Sequence, residues 1–75
     1  MTVTLYSKPS CTQCKFTQKE LNKTGIKYKV IDISKDEQAK HYVQQLGYMQ
    51  APVVQAGDEH WSGFKPDKIK ELAAL

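Results

Sequence analysis

Lys8-Pro9-Ser10-Cys11-Thr12-Gln13-Cys14 is the stretch that decides the fold, because it holds both cysteines of the chain and follows a short run in which Val3 and Leu5 alternate with more polar neighbours. The alternation predicts a β-strand, and the break after it predicts the start of a helix with Cys11 at its first turn. The unpaired N–H groups and the helix dipole at that end favour a thiolate over a thiol. The i, i+3 spacing puts both sulfurs on one face, close enough for a disulfide. The stretch therefore indicates a redox-active dithiol.

The whole-chain properties exclude several other classes of function. A length of 75 residues predicts one domain, spanning residues 1–75, with one core. The net charge of +3 comes with eleven lysines and no arginine, and arginine is the preferred reader of phosphates, so we do not expect a nucleic-acid partner. No apolar run approaches the roughly 20 residues of a membrane span, and the N-terminus does not resemble a signal peptide. We expect a cytoplasmic monomer, and in that compartment a cysteine pair is more often catalytic or metal-binding than a structural staple.

The remaining chain predicts the element order β-α-β-α-β-β-α. A parallel β-α-β crossover is expected first, and an antiparallel hairpin around Gly57-Asp58 later. The first half of the chain predicts a strand over 2–6, a helix over 12–23 ended by Gly25, and a strand over 28–33. The second half predicts a helix from a capping box at Ser34 and Glu37 to Gly47, strands over 53–56 and 59–62, and a helix starting at Pro66.

A Cys-x-x-Cys pair at the first strand-to-helix junction of this order resembles the thioredoxin fold in its smallest, glutaredoxin-like form. The resemblance covers essentially the whole chain. Ala51-Pro52-Val53 matches the place where this superfamily keeps a cis-proline facing the dithiol. Trp61-Ser62-Gly63-Phe64-Lys65-Pro66-Asp67 is similar to the W-S-G-F-[KR]-P-[DE] signature of NrdH-type redoxins, although Thr12 stands where that family usually has an apolar residue. The implied fold is α/β and thioredoxin-like, with a four-stranded mixed sheet and three helices.

The resemblance also implies a function. NrdH-type redoxins take electrons from thioredoxin reductase and pass them to the large subunit of class Ib ribonucleotide reductase. Cys11 would then be the attacking thiolate, exposed at the helix start, and Cys14 the buried resolving thiol. The chain would need no cofactor of its own, since FAD and NADPH belong to the reductase. The residues implied to contact partners are Lys8, Thr12, Gln13, Ala51, Pro52, Trp61, Ser62, Gly63 and Phe64.

For individual residues near the dithiol, more specific predictions can be made. On the resemblance, Pro52 follows a cis peptide bond, and Ala51 offers its backbone to an extended segment of the partner. Trp61 is either part of the core or a partly exposed anchor for the reductase. Gly63 is expected to adopt a positive φ, and Gln13 is expected to bond across to its turn.

Other functions of the cysteine pair compete with this interpretation. A two-residue loop adds little constraint to the denatured chain, which disfavours a structural disulfide. His41 and His60 are too far apart in sequence for a Cys₂His₂ zinc site. The sequence names no partner for either histidine, and we expect both to be solvated. A glutathione-dependent glutaredoxin typically has a Pro-aromatic pair where this chain has Thr12-Gln13. A metal carrier of the copper-chaperone kind generally has methionine at the place of Pro9 and the order β-α-β-β-α-β.

Overall fold

The structure, a computed structural model, describes residues 2–74. The predicted order β-α-β-α-β-β-α and its boundaries are confirmed to within two residues. None of the helices described is long and apolar enough to cross a membrane. The elements are β1 (Val3–Ser7), α1 (Thr12–Thr24), β2 (Lys29–Asp32), α2 (Glu37–Gln45), β3 (Val53–Ala56), β4 (Glu59–Ser62) and α3 (Pro66–Ala73).

The four strands form one mixed sheet in the order β2-β1-β3-β4. Strand β1 pairs in parallel with β2, as expected for the first crossover, and antiparallel with β3. Strands β3 and β4 form the predicted antiparallel hairpin, in which Val54 is opposite Trp61. Because β1 is a central strand, the loop that leaves its carboxyl end starts in the middle of the sheet and leads directly to the cysteines.

A core lies on each face of the sheet, and the alternation along β1 separates them. Leu5 belongs to the core that includes Leu21 of α1 and Ile69 of α3, and all three side chains are fully buried. Its neighbour Tyr6 belongs to the second core, which α2 covers with Ala39 and Val43. Burying one such aliphatic side chain contributes about 1.5–3 kcal/mol. Helices α1 and α3 therefore hold one face of the sheet, and α2 holds the other.

The ends of two helices follow the local sequence signals. Helix α1 ends at Gly25, which adopts φ 74° and donates its N–H to the carbonyl of Asn22 at 3.3 Å. Helix α3 begins with Pro66 in its first turn, where no intrahelical N–H bond is lost. Both predictions are confirmed.

The start of helix α2 differs from the predicted capping box. Asp36, and not Ser34, is the N-cap, because its carboxylate accepts the N–H of Ala39 at 3.0 Å. Ser34 instead donates its hydroxyl at 2.6 Å and its N–H at 2.9 Å to Asp32 Oδ1. A local acceptor at the end of β2 thus competes successfully for the serine. The same hydroxyl and N–H bonds, with a smaller contribution from Lys35, lower the pKa of the Asp32 carboxyl below its ordinary value of 3.8.

Candidate active site

The β1–α1 junction places Cys11 at the start of the first helix, as predicted. Ser10 adopts φ 59°, a left-handed conformation that is unusual for a residue with a side chain. Cys11 then has extended dihedral angles and is the N-cap of α1, and its carbonyl accepts the N–H of Lys15 at 3.2 Å. The turn before the helix therefore directs the sulfur of Cys11 across the helix end.

Cys11 and Cys14 form a disulfide, and their Cα atoms are 5.2 Å apart. The backbone N–H of Cys14 donates to Cys11 Sγ at 3.1 Å, so the sulfur takes the place of a capping oxygen. A donor in this position stabilises negative charge on Cys11 when the disulfide is reduced. The helix end thus supports chemistry at Cys11 more than at Cys14.

The exposure of Cys11 differs from its prediction. Cys11 is 8% exposed and Cys14 is 4% exposed, so the expectation of an exposed attacking cysteine is wrong for this disulfide form. The Cys11 sulfur is bonded to Cys14, accepts the N–H of Cys14, and lies 3.9 Å from the carbonyl oxygen of Ala51. These neighbours cover most of its surface. The expected burial of Cys14 is confirmed.

The peptide bond between Ala51 and Pro52 is cis, as the resemblance implied. Pro52 is fully buried, while Ala51 is half-buried and faces the disulfide through its carbonyl. In the disulfide form the Cys11 sulfur carries no proton, so this approach is a contact and not a hydrogen bond. The loop before β3 is thereby placed directly beside the sulfurs.

The turn after β4 joins the cis-proline loop and the cysteine turn. Gly63 adopts φ 86°, as predicted, and donates its N–H to the carbonyl of Pro52 at 2.8 Å. A β-carbon added to Gly63 would lie 3.7 Å from Gln13 Oε1, so the predicted proximity of Gln13 to this turn is confirmed. Within residues 2–74 no side-chain hydrogen bond links Gln13 to Gly63, and that part of the prediction is wrong. Three segments that are distant in sequence therefore meet at the disulfide.

Trp61 is a core residue. It is 4% exposed and packs with Leu5, Leu21 and Ile69, so the alternative of a partly exposed anchor for a partner is wrong. The pairing of β4 with β3 sets this outcome, because it puts Trp61 opposite the fully buried Val54. The indole N–H is buried without a hydrogen-bond partner among the residues described.

An exposed aromatic pair lies beside the Gly63 turn. The rings of Phe16 and Phe64 are 5.8 Å apart between centroids, and the side chains are 49% and 36% exposed. Phe64 was expected to contact partners, whereas sequence reasoning did not single out Phe16. The signal that could have found Phe16 is its position on the polar side of α1, two residues after Cys14.

The other side of the cis-proline loop has a small groove of about 250 Å³. Lys8 and Met49 line it together with Ala51, and Met49 is 82% exposed. Thr12, like Lys8, is exposed, so both can reach a partner that approaches the disulfide. A larger open depression of about 620 Å³ lies between β2 and α2, but neither cysteine lines it.

Both histidines are exposed as expected, but each has a hydrogen-bond partner. His41 bonds to Gln45 Nε2 at 3.1 Å, one turn further along α2. His60 Nδ1 lies 2.7 Å from the hydroxyl of Tyr48. The structure thus supplies a partner for each histidine that the sequence did not name. Within residues 2–74 no group of three histidine, cysteine, aspartate or glutamate side chains is arranged to hold a metal ion.

Comparisons with known proteins agree on one family. The sequence profile described as Glutaredoxin matches residues 3–61. The glutaredoxin-like protein NrdH of Escherichia coli (strain K12) is 36% identical over 72 residues, which cover 96% of this chain and 89% of that protein. NrdH of Lactococcus lactis subsp. cremoris (strain MG1363) is 37% identical over 71 residues, covering 95% of this chain and 99% of that protein. The solved structure of NrdH-redoxin from Escherichia coli aligns with a TM-score of 0.92 and 36% identity, over 96% of this chain and 95% of that one.

Proposed function

The chain belongs to the glutaredoxin family as an NrdH-type thiol–disulfide oxidoreductase, and we propose that it carries electrons from a thioredoxin reductase to the large subunit of a class Ib ribonucleotide reductase. The observation that carries the proposal is the meeting of the Cys11–Cys14 disulfide, the cis Ala51–Pro52 bond and the Gly63 turn. This arrangement combines a reactive sulfur pair with an open backbone edge and the signature turn of NrdH-type redoxins.

The first chemical step belongs to Cys11. In the reduced protein its thiolate attacks one sulfur of the acceptor disulfide, so that a new S–S bond forms and the acceptor's S–S bond breaks. The electron pair of the broken bond leaves on the acceptor's other sulfur, which then takes up a proton. The N–H of Cys14, at 3.1 Å from Cys11 Sγ, favours the thiolate that starts this step.

The second step belongs to Cys14. Its thiolate attacks Cys11 Sγ, forms the Cys11–Cys14 disulfide and releases the acceptor's remaining sulfur as a thiol. A Cα–Cα distance of 5.2 Å lies within the range that a disulfide spans, so the backbone of α1 is already placed for this attack. In total two electrons and two protons move from the protein to the acceptor, and the reductase must return them.

The surface around Cys11 suits an extended segment of a partner. Ala51 is half-buried beside the sulfur, and its backbone can pair with such a segment as a short added strand. Phe16 and Phe64 offer an apolar contact on one side of the site, and Lys8 and Thr12 are exposed on the approach to the sulfurs. In this proposal the residues around the disulfide recognise both the acceptor and the reductase.

Two observations support thioredoxin reductase as the electron donor. One is the stretch from Trp61 to Asp67, which is similar to the NrdH signature, and the other is the description of a solved relative. The solved NrdH-redoxin from Escherichia coli is described as having a thioredoxin-like activity profile, which supports a thioredoxin reductase as the electron source. The chain itself binds no cofactor in this scheme, because the FAD and NADPH are held by the reductase. It acts in the cytoplasm as a monomer.

The proposal is tested by following NADPH consumption with the protein as the only link to an acceptor disulfide. We expect turnover with thioredoxin reductase, and deoxyribonucleotide formation when class Ib ribonucleotide reductase is the acceptor. A parallel reaction with glutathione and glutathione reductase is expected to be slow. Efficient turnover with glutathione alone would overturn the choice of electron source and favour a glutathione-dependent glutaredoxin. The Cys11→Ser variant provides the background rate for both reactions.

A further inference from the structure

The segment Met49–Ala51, which runs past the disulfide, has little to hold it in place. In the described part of the chain these residues form no backbone–backbone hydrogen bonds. Met49 is 82% exposed, and the carbonyl oxygen of Ala51 contacts the Cys11 sulfur at 3.9 Å without forming a hydrogen bond. Its backbone groups are therefore open to a partner, and its conformation depends on what fixes its two ends.

Both ends are attached to the same part of the fold. After the segment, the carbonyl of Pro52 accepts the N–H of Gly63 at 2.8 Å. Before it, the Tyr48 hydroxyl lies 2.7 Å from His60 Nδ1 and donates to the carbonyl of His60 at 3.2 Å. His60 lies in β4 and Gly63 in the turn that follows it, so β4 and its turn provide one attachment point at each end of the segment.

The contact between Tyr48 and His60 involves the rings as well as the hydroxyl. Their centroids are 5.4 Å apart at an interplanar angle of 78°, and the Tyr48 ring also packs on the core beneath α2. The backbone N–H of Tyr48 is bonded to the carbonyl of Val43 at 3.1 Å, which fixes the start of the loop to α2. Tyr48 therefore connects helix α2, strand β4 and the open segment.

We propose that Tyr48 is a positioning residue for the redox reaction: through its hydroxyl bond to His60 it holds Met49–Ala51 so that Ala51 presents its backbone to an extended disulfide segment beside Cys11. This inference rests on the proposed function. Tyr48 does not touch the reacting sulfurs, so it acts on recognition of an extended substrate and not on the sulfur chemistry itself.

The test compares two disulfides that differ in size. Protein that has been reduced with dithiothreitol and then freed of it is mixed with insulin, whose disulfides lie in a polypeptide chain, or with the small aromatic disulfide DTNB. The Tyr48→Phe variant keeps the ring and loses the hydroxyl. We expect its rate constant for insulin to fall about threefold to tenfold, the factor that one net hydrogen bond provides, with the DTNB rate unchanged.

Tyr28→Phe is a matched control. The Tyr28 hydroxyl donates to Asn22 Oδ1 at 2.7 Å, so the control removes the same kind of bond at the far end of α1. We expect Tyr28→Phe to leave both rates unchanged. Backbone order parameters of Met49, Gln50 and Ala51, measured by NMR relaxation, should fall in Tyr48→Phe and stay constant in Tyr28→Phe.

A double variant tests whether Tyr48 acts through His60. His60→Ala should lower the insulin rate less than Tyr48→Phe, because the Tyr48 bond to the backbone carbonyl of residue 60 remains. In the Tyr48→Phe background the effect of His60→Ala should be smaller than in the wild type, because only the ring contact is left to lose. Additive effects, equal losses with insulin and DTNB, or unchanged order parameters would each overturn the positioning role. If the wild-type protein and Tyr48→Phe reduce insulin at the same rate, the positioning role is refuted and the proposed function still stands. If the reduced wild-type protein reduces neither disulfide, the proposed function fails, and the order parameters still decide the positioning role.

Discussion

The backbone N–H of Gly63 donates to the carbonyl of Pro52 at 2.8 Å, and this bond joins the turn after β4 to the cis peptide beside the disulfide. The bond explains in structural terms why two stretches of sequence about ten residues apart belong to one site. Gly63 makes this bond with φ 86°, a conformation that glycine reaches without the steric penalty that a β-carbon brings.

Replacing Gly63 with alanine should weaken both the fold and substrate recognition. The positive φ is expected to cost about 1–2 kcal/mol of unfolding free energy, measured by urea denaturation. Gly25→Ala is the control, because Gly25 has φ 74° and a β-carbon there would meet no atom within 4 Å. Only Gly63→Ala should also slow the reaction with insulin. An equal loss of insulin reactivity in both variants would contradict this link between the turn and the site.

Cys11 should be the more reactive cysteine of the reduced protein. The N–H of Cys14 at 3.1 Å stabilises a thiolate on Cys11 and not on Cys14. Near neutral pH we expect iodoacetamide to modify Cys11 at least about tenfold faster, as mapped by mass spectrometry of the digested protein. Cys14→Ser should keep this reactivity and trap a mixed disulfide through Cys11. Equal modification of the two cysteines would count against the assigned roles.

The exposed aromatic pair should contribute to binding of the reductase. Phe16→Ala and Phe64→Ala are each expected to raise the KM of thioredoxin reductase for this protein by about tenfold, the effect of losing a moderately important interface side chain. Val30→Ala is the control, since Val30 is 44% exposed but lies on the edge strand β2. The role of the pair would be refuted if Val30→Ala raised the KM as much, or if both phenylalanine variants left it unchanged.

Ser34 should make stability depend on pH through Asp32. The folded-state pKa of Asp32 lies below its ordinary value of 3.8, chiefly because Ser34 donates to the carboxylate. A carboxyl whose pKa is lowered by folding stabilises the folded protein at pH values above its unfolded-state pKa. This contribution is lost as the pH falls through the lowered folded-state pKa. In Ser34→Ala, an NMR titration should show the pKa of Asp32 moving back toward 3.8, and the stability difference from wild type should shrink in acid. In an Asp32→Asn background the effect of Ser34→Ala should no longer depend on pH.

Features that depend on neighbouring residues could be predicted from the sequence. Gly25 ends α1 and Pro66 starts α3 because both effects act within one turn of a helix. The position of Cys11 at the first turn of α1 followed from the same kind of signal. The start of α2 was harder, because Ser34 and Asp36 both have side chains that can cap a helix, and Asp32 is close enough in sequence to bind Ser34 instead.

Features that depend on which face of a strand is buried, or on contacts between distant segments, could not be predicted from the sequence. Whether Trp61 is core or surface depends on which face of β4 meets the fully buried Val54, and a four-residue strand has too weak an alternation to show it. Tyr48 and His60 are twelve residues apart and meet only after the β3–β4 hairpin has formed. The position of Phe16 on the polar side of α1 could be predicted, but its pairing with Phe64 depends on how the turn after β4 packs beside that helix.

Strand β4 has only four residues and pairs on one side alone, since it forms an edge of the sheet. Short edge strands open locally at a lower free-energy cost than the global unfolding of a domain. Trp61 fixes the middle of this strand in the core, whereas His60 beside it is exposed and Gly63 lies just past the strand's end. Because His60 and Gly63 both hold the loop beside the disulfide, local opening at these two residues would release the docking edge while Trp61 stays packed against Leu21 of α1. On warming, the capacity to reduce polypeptide disulfides should therefore be lost before the cooperative melting of the protein.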